Sequence, residues 1–219
     1  MPKKKIINIK SICTDINNRR FNSVPIYVDF NKRDTNIKVH HYMKSSEITA
    51  DVEKLIALAL KEDLGANIKN VKEGDITSNA VIPKNKKIKA QIRVREHCVL
   101  CGINVGKKVL EIYEKLAKVT SKDKTQFKIL RKDGSFMQKN EVVVEISGSA
   151  RTILATERTI LNFLAVLSGV ATTTNKFVER VLPYRVQLLD TRKTIAGYRE
   201  LEKYAVRIGG GTNHRKGLN

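Results

Sequence analysis

Val186-Gln187-Leu188-Leu189-Asp190-Thr191-Arg192-Lys193-Thr194 is the stretch that decides the fold. Its first four residues make a short, nearly continuous apolar run, the pattern of a buried parallel strand. A polar, cationic loop follows at once. A helical stretch near 198–206 comes next, then Gly209-Gly210-Gly211 and a second polar loop, Asn213-His214-Arg215. Strand, polar loop, helix, polar loop is the alternation of a barrel or a doubly wound sheet.

Upstream, Ser149 is placed to N-cap a long helix carrying Ile153, Leu154, Ile160, Leu161 and Leu164. Ser168-Gly169 is expected to break it, with a second helix over 171–182 stopped by Pro183. Further back, Ile88, Ala90, Ile92 and Val94 alternate with Lys87, Lys89, Gln91, Arg93 and Arg95, which predicts a strand with one apolar and one cationic face. A helix over 104–118 and strands near 126–130 and 141–146 follow, flanking the turn Lys132-Asp133-Gly134-Ser135. Val52, Leu55, Ile56, Ala59 and Leu60 recur at helical spacing, with Gly65 at the C-cap position. Gly74-Asp75-Ile76-Thr77-Ser78 carries capping residues. Residues 45–148 thus predict a sheet with helices on one side, and 149–219 a βα region.

Residues 1–44 differ. They hold seven Lys and three Arg against three Asp, so +7 of the net +20 lies there, and no clear apolar period runs through them. Val24-Pro25-Ile26-Tyr27-Val28-Asp29-Phe30 could form one short strand, but Pro25 demotes it. We read a flexible basic extension, in which His40-His41 is a polar loop rather than a ligand pair.

Composition bounds the function. A chain of 219 residues, 41% hydrophobic, can bury a core without disulfides. No apolar run approaches the roughly 18 residues that span a bilayer, and no secretory signal follows the basic start. Three cysteines cannot pair completely, which fits a reducing cytosol. The charge has two readings: a polyanion or phosphorylated small substrate, or a solvated Lys-rich surface, to which we assign the larger share. With no Trp and 5% aromatics there is little from which to build a base-stacking platform, which weighs against nucleic acid as a partner.

The two polar loops are where chemistry is expected, because active sites of βα folds form at strand C-termini. Arg192, Lys193, His214 and Arg215, with Arg158 on the preceding helix, make a candidate cationic pocket with one imidazole. Each guanidinium can grip a carboxylate or phosphate through two parallel hydrogen bonds. The competing reading is a set of solvated loop charges. The lone Cys98-Val99-Leu100-Cys101 pair reads as packing, since a second pair is absent.

The run from Leu189 to Leu218, with its DTRKT and NHR segments, resembles the quinolinate phosphoribosyltransferases, the carboxylating nicotinate-nucleotide pyrophosphorylases. Gly74-Asp75-Ile76-Thr77-Ser78, the run from Ala150 to Leu164, and Leu167-Ser168-Gly169-Val170-Ala171 resemble the same family in the same order. The resemblance spans about 45–219. It implies an α/β fold: an α+β N-terminal sandwich over 45–148, then the first part of an open α/β barrel over 149–219. It implies transfer of phosphoribose from phosphoribosyl pyrophosphate to quinolinate with Mg²⁺. Pyrophosphate and carbon dioxide leave, and nicotinate mononucleotide, a precursor of NAD, is formed. It implies a cytoplasmic homodimer or higher oligomer with shared sites. By motif position Arg158, Arg192 and Arg215 would hold quinolinate with His214 beside them. Lys193 would serve the catalytic centre and the phosphoribosyl donor, and Arg95 would reach into the partner subunit's site.

A full barrel of this kind needs roughly 250 residues, whereas 71 follow position 148. The family's later lysine motif, acidic residues and glycine-rich phosphate loops have no counterpart among them. We therefore expect the quinolinate half of the site here, with no metal ligands and no turnover by these residues alone. Three alternatives stay open: a catalytically incomplete subunit or fragment, the molybdenum-transport-associated relative of the same fold, and nucleic-acid binding through the basic extension.

Overall fold

Period-two alternation gives the sheet and period-3.6 alternation the helices that cover it. The structure is a computed structural model that describes residues 48–65, 71–184 and 186–218 in full and 5–8 and 27–29 by their backbone. Its four-stranded sheet runs β1 (Lys5–Asn8), β3 (Lys87–Arg93), β7 (Val142–Ser149), β5 (Gln126–Ile129). β1 is parallel to β3, while β3 and β5 are antiparallel to β7. The register of β3 on β7 shifts between Ile92 and Arg93. A small antiparallel pair, β4 (Cys98–Val99) with β6 (Phe136–Met137), and another, β2 (Tyr27–Asp29) with β8 (Gln187–Leu189), complete the strands.

The helices are α1 (Ala50–Leu64), α2 (Ile76–Val81), α3 (Ile103–Leu116), α4 (Ala150–Val181) and α5 (Arg199–Ile208). The capping expectations hold. Gly65 sits in the left-handed region at φ 59°, and Asp75 and Ser149 cap α2 and α4 by accepting from Ser78 N and Thr152 N. One core joins Ile56 and Leu60 of α1, Ile92 of β3, Val144 and Ile146 of β7, Val109 of α3, Leu164 and Leu167 of α4, and Leu201 and Tyr204 of α5. The architecture is mixed α/β, as expected.

Two expectations are corrected. Ser168-Gly169 does not break the helix: α4 is continuous for 32 residues. Ser168 is buried, and its hydroxyl both accepts from Cys101 N (3.0 Å) and donates to Cys101 O (3.2 Å), while Thr172 Oγ1 accepts from Val99 N (2.9 Å). Small polar residues that read as a break instead satisfy a neighbouring segment's backbone. Second, β8 pairs antiparallel with β2; its parallel contact is a single bridge from Leu189 to Thr212 after the α5 crossover. On the cationic face of β3 one polar side chain is drawn inward. Gln91 is buried, donating to Glu145 Oε1 (3.1 Å) and accepting from Arg93 Nη2 (2.8 Å).

By length and composition α4 could cross a membrane, but 67% of its most apolar window is buried inside the protein, as in the core helix of a globular fold. Apart from β1 and β2, the expected flexible extension over 1–44, with His40-His41, lies outside the described residues.

Candidate functional site

The site is built on the return of the chain after α5. Gly209 and Gly210 turn it back. A Cβ at Gly209 would run into the Ala171 carbonyl of α4, and Gly210 takes φ +94°. These glycines allow close approach to a helix rather than to a ligand. The returning strand is then pinned beside β8: Thr212 N donates to Leu188 O (2.8 Å) and Asp190 N to Thr212 O (3.1 Å). The loops that follow β8 and Thr212 therefore start side by side.

Asp190 holds them there. Its carboxylate accepts from Lys203 Nζ (2.6 Å), Asn213 Nδ2 (2.6 Å) and His214 N (2.8 Å). The Asp190 and Lys203 side chains are each only 3% exposed. A buried ion pair of this kind survives because further hydrogen bonds meet the remaining lone pairs and protons. Here those bonds run to the second loop: Lys203 Nζ also reaches His214 O (3.4 Å), and Asn213 Nδ2 donates to Lys203 O (2.8 Å). Arg199, at the start of α5, ties the loops a second time. It donates to Arg192 O and Lys216 O (3.4 Å each) and to Thr194 Oγ1 (3.3 Å). Glu202 takes the far end of the first loop, accepting from Ile195 N (3.2 Å). Burial pushes the Glu202 carboxyl above its ordinary value, with the bond from Ile195 N opposing the rise.

α5 itself is positioned from the N-terminal layer. Asp133, from the turn before β6, accepts from Tyr204 Oη (2.6 Å) and from Ile103 N (2.9 Å) at the start of α3. Burial raises the Asp133 carboxyl despite these donors. The ring of Phe163 on α4 stacks on Tyr198, centroids 5.8 Å apart.

The structure brings Arg192, Lys193, His214 and Arg215 onto adjoining loops at the end of β8. Lys193, His214 and Arg215 are exposed and Arg192 half-buried. The Arg192 Nε is buried with no partner among the described residues. Arg158 lies on the exposed side of α4, near Asp63, whose carboxyl is raised by burial and lowered by the Arg158 charge. Arg151, two turns earlier, is structural: it donates to the Asn79 and Ile82 carbonyls and to Asn79 Oδ1. Arg95 follows β3, half-buried, with its Nε buried and unpartnered among the described residues.

Other features carry less. A cavity of about 580 Å³ lies between α3 and residues 119–127, lined by Lys107, Glu111, Lys115, Lys124 and Phe127 among others, and by none of the expected site residues. Cys101 is buried, and burial and the Asp133 charge push its thiol well above the ordinary range, which makes it a poor nucleophile. Among the described residues no three His, Cys, Asp or Glu side chains converge as a metal site would require. The Asp190 carboxylate is already committed to three donors. Among the described residues the donor set therefore does not fit a resident divalent cation.

Sequence reasoning missed Lys203, Arg199 and Glu202. No periodicity links Lys203 to an aspartate 13 residues earlier. The one available signal was the acid of Asp190 placed directly after a buried apolar run.

Comparison with known proteins completes the picture. The family model of the quinolinate phosphoribosyl transferase N-terminal domain matches residues 75–168, and that of the C-terminal domain matches 170–219. The chain is 38% identical over 164 residues to a probable nicotinate-nucleotide pyrophosphorylase (carboxylating) of Methanocaldococcus jannaschii, covering 74% of this chain and 51% of the relative. It is 35% identical over 173 residues to the chloroplastic nicotinate-nucleotide pyrophosphorylase (carboxylating) of Arabidopsis thaliana, covering 79% and 45%. The solved nicotinate-nucleotide pyrophosphorylase of Francisella tularensis is similar at a TM-score of 0.67 and 37% identity, over 81% of this chain and 58% of that one. The chain spans about half the length of the curated relatives it matches. Two domain models of one family, matched consecutively over 75–168 and 170–219, show that the chain belongs to the quinolinate phosphoribosyltransferase family.

Proposed function

We propose that the chain carries the quinolinate-binding half of a phosphoribosyltransferase that makes nicotinate mononucleotide. The observation that supports this most is the Asp190 junction, which sets Arg192 and Lys193 beside His214 and Arg215 on adjoining loops. Quinolinate has two adjacent carboxylates, and two guanidinium forks on neighbouring loops answer them with charge-assisted hydrogen bonds. In this reading Arg192 and Arg215 grip the carboxylates, Arg158 adds a third cation from α4, and His214 lies beside the ring. Lys193 faces the phosphoribosyl donor. The pyridine nitrogen forms its bond to the ribose C1 as the C1–O bond breaks, through a transition state of oxocarbenium character. Pyrophosphate departs with the electron pair. The 2-carboxylate then leaves as carbon dioxide, and the pair left on the ring carbon is stabilised by the adjacent cationic nitrogen until a proton takes it. Mg²⁺ enters with the diphosphate as part of the substrate.

The same reading assigns residues 45–148 to the sandwich and 149–219 to the barrel. It makes the enzyme a homodimer or larger oligomer in which Arg95 serves the partner's site, and it places the protein in the cytosol. The half-buried Arg95 with its unsatisfied Nε supports the shared site.

The test is calorimetric titration of the chain with quinolinate and, separately, with nicotinate. We expect quinolinate to bind more tightly, by the worth of one charge-assisted carboxylate contact, roughly 1.5–3 kcal/mol. Equal affinity for the two acids, or no binding of either, overturns the reading. Carbon dioxide release from quinolinate with phosphoribosyl pyrophosphate and Mg²⁺ assays the reaction itself; the binding arm stands apart because it needs only the cationic loops.

A further inference from the structure

We propose that Lys203 and Asn213, which would not touch substrate, are the positioning residues of the second cationic loop, and that they set the selectivity for a dicarboxylate. This rests on the reading above that the two loops bind quinolinate.

The second loop is clamped at a single residue. The N–H of His214 donates to Asp190 Oδ1 (2.8 Å), and its carbonyl accepts from Lys203 Nζ (3.4 Å). Both ends of residue 214 are thus held by one buried ion pair. His214 and Arg215 are themselves exposed, so where their side chains start is set by backbone ties such as this clamp and the Arg199 bond to Lys216 O. Asn213 closes the clamp from the other side, with Nδ2 donating to Asp190 Oδ2 (2.6 Å) and to Lys203 O (2.8 Å). A carboxylate offers about four acceptor sites. Three at Asp190 are taken, two of them by the second loop. Asp190 is therefore a joint between the loops.

The consequence is chemical. Two adjacent carboxylates have a fixed separation, and they profit from both loops only if Arg192 and Arg215 keep a matching one. A monocarboxylate needs one loop alone. Loosening the joint should therefore cost the dicarboxylate more than the monocarboxylate, whereas a loss of fold would cost both alike.

The experiment uses Asn213→Ala, which removes both Nδ2 bonds and leaves the Lys203–Asp190 pair in place. Asn213→Leu, neutral and close in size, is the second variant should the first not fold. Two readouts are taken. Hydrogen exchange of the His214 amide, without ligand, is expected to quicken about tenfold on loss of the clamp. The ratio of nicotinate to quinolinate dissociation constants is expected to fall about fivefold or more, with the thermal midpoint nearly unchanged. An unaltered ratio beside a quickened amide overturns the inference while leaving the functional reading intact. An unaltered amide overturns it as well. If the unmodified chain binds neither acid, the functional reading fails on its own, and the amide measurement alone decides whether the clamp exists.

Discussion

The sheet layer and the loop pair are held by opposite kinds of force. Around β3, β7, α3 and α4 the contacts are apolar: Ile92, Val144, Leu164 and Leu167 are at most 1% exposed, and each gives roughly 25 cal/mol for every Å² of apolar surface removed from water. Such packing is non-directional and tolerates exchange among similar shapes. At the end of β8 the same burial is reached by polar groups, Asp190 at 5% and Lys203 at 2% exposure. Here every bond has a donor, an acceptor and an angle, and one missing partner leaves a charge stranded. The first region makes the fold stable. The second fixes the positions of side chains that are themselves exposed.

The largest expected effect comes from breaking the polar region. Lys203→Met leaves the Asp190 carboxylate buried and unpaired, and urea denaturation should show a loss of about 3–5 kcal/mol. The double variant Asp190→Leu with Lys203→Met should regain much of that stability, since apolar pairs often replace a buried ion pair at little cost. It should not regain quinolinate binding, because Asn213 and His214 lose their acceptor. Full recovery of binding would show that the loops hold themselves.

Breaking the apolar region should cost stability and nothing else. Leu167 is fully buried against Gly102, which has no side chain to refill the space. Leu167→Ala should cost about 2–5 kcal/mol through lost transfer energy and the cavity left behind. Quinolinate affinity at a temperature where the variant remains folded should match that of the unmodified chain. A changed affinity would mean that the two regions are not separable.

Arg192→Lys sharpens the comparison from the other side. An ammonium keeps the charge and loses the planar fork, so quinolinate should bind more weakly by roughly 1.5–3 kcal/mol. Calorimetry measures the loss, and unfolding should barely move, because Arg192 is tied through its carbonyl rather than its guanidinium.

The smallest effect lies at the seam, where Asp133 joins Tyr204 of the α5 helix to the start of α3. Burial raises its folded-state carboxyl above the ordinary 3.8, against the donors that lower it. The folded protein therefore binds the proton more tightly than the unfolded chain, and stability falls as pH rises from about the ordinary value through the raised one. Asp133→Asn removes this dependence. The stability of the unmodified chain relative to the variant should thus decline with rising pH across that window and be level above it. A difference that grows with pH would mean that the hydrogen bonds, not burial, dominate.

Much of the molecule is legible in the chain. The caps at Gly65, Asp75 and Ser149 are read from single residue types, because a left-handed backbone or an orphan N–H asks for a particular side chain. The Ser168-Gly169 break was misread because the same small residues serve a turn or a close contact, and only the neighbour at Cys101 distinguishes them. Of the candidate site, the exposed cations on the two loops were legible, since loops after buried strands display what they carry. Arg158 is grouped with them from its place on the preceding helix and from the resemblance, and in the folded chain it lies on the exposed side of α4, near Asp63.

The sequence by itself determined most of the elements and their order, and the cationic loops at the end of β8, since these follow from local periodicity, capping chemistry and residue charge. Tertiary structure alone decided that Lys203 is buried on Asp190, that Asn213 and the His214 peptide close over that pair, and that Asp133 connects the start of α3 to Tyr204. The partners in these bonds are at least 11 residues apart, save for the loop-to-helix contact of Asn213 with Lys203 at 10. A buried ion pair has no period. Whether a lysine is solvated or paired depends on which carboxylate the folded chain brings within reach, and that is settled only when the helix packs.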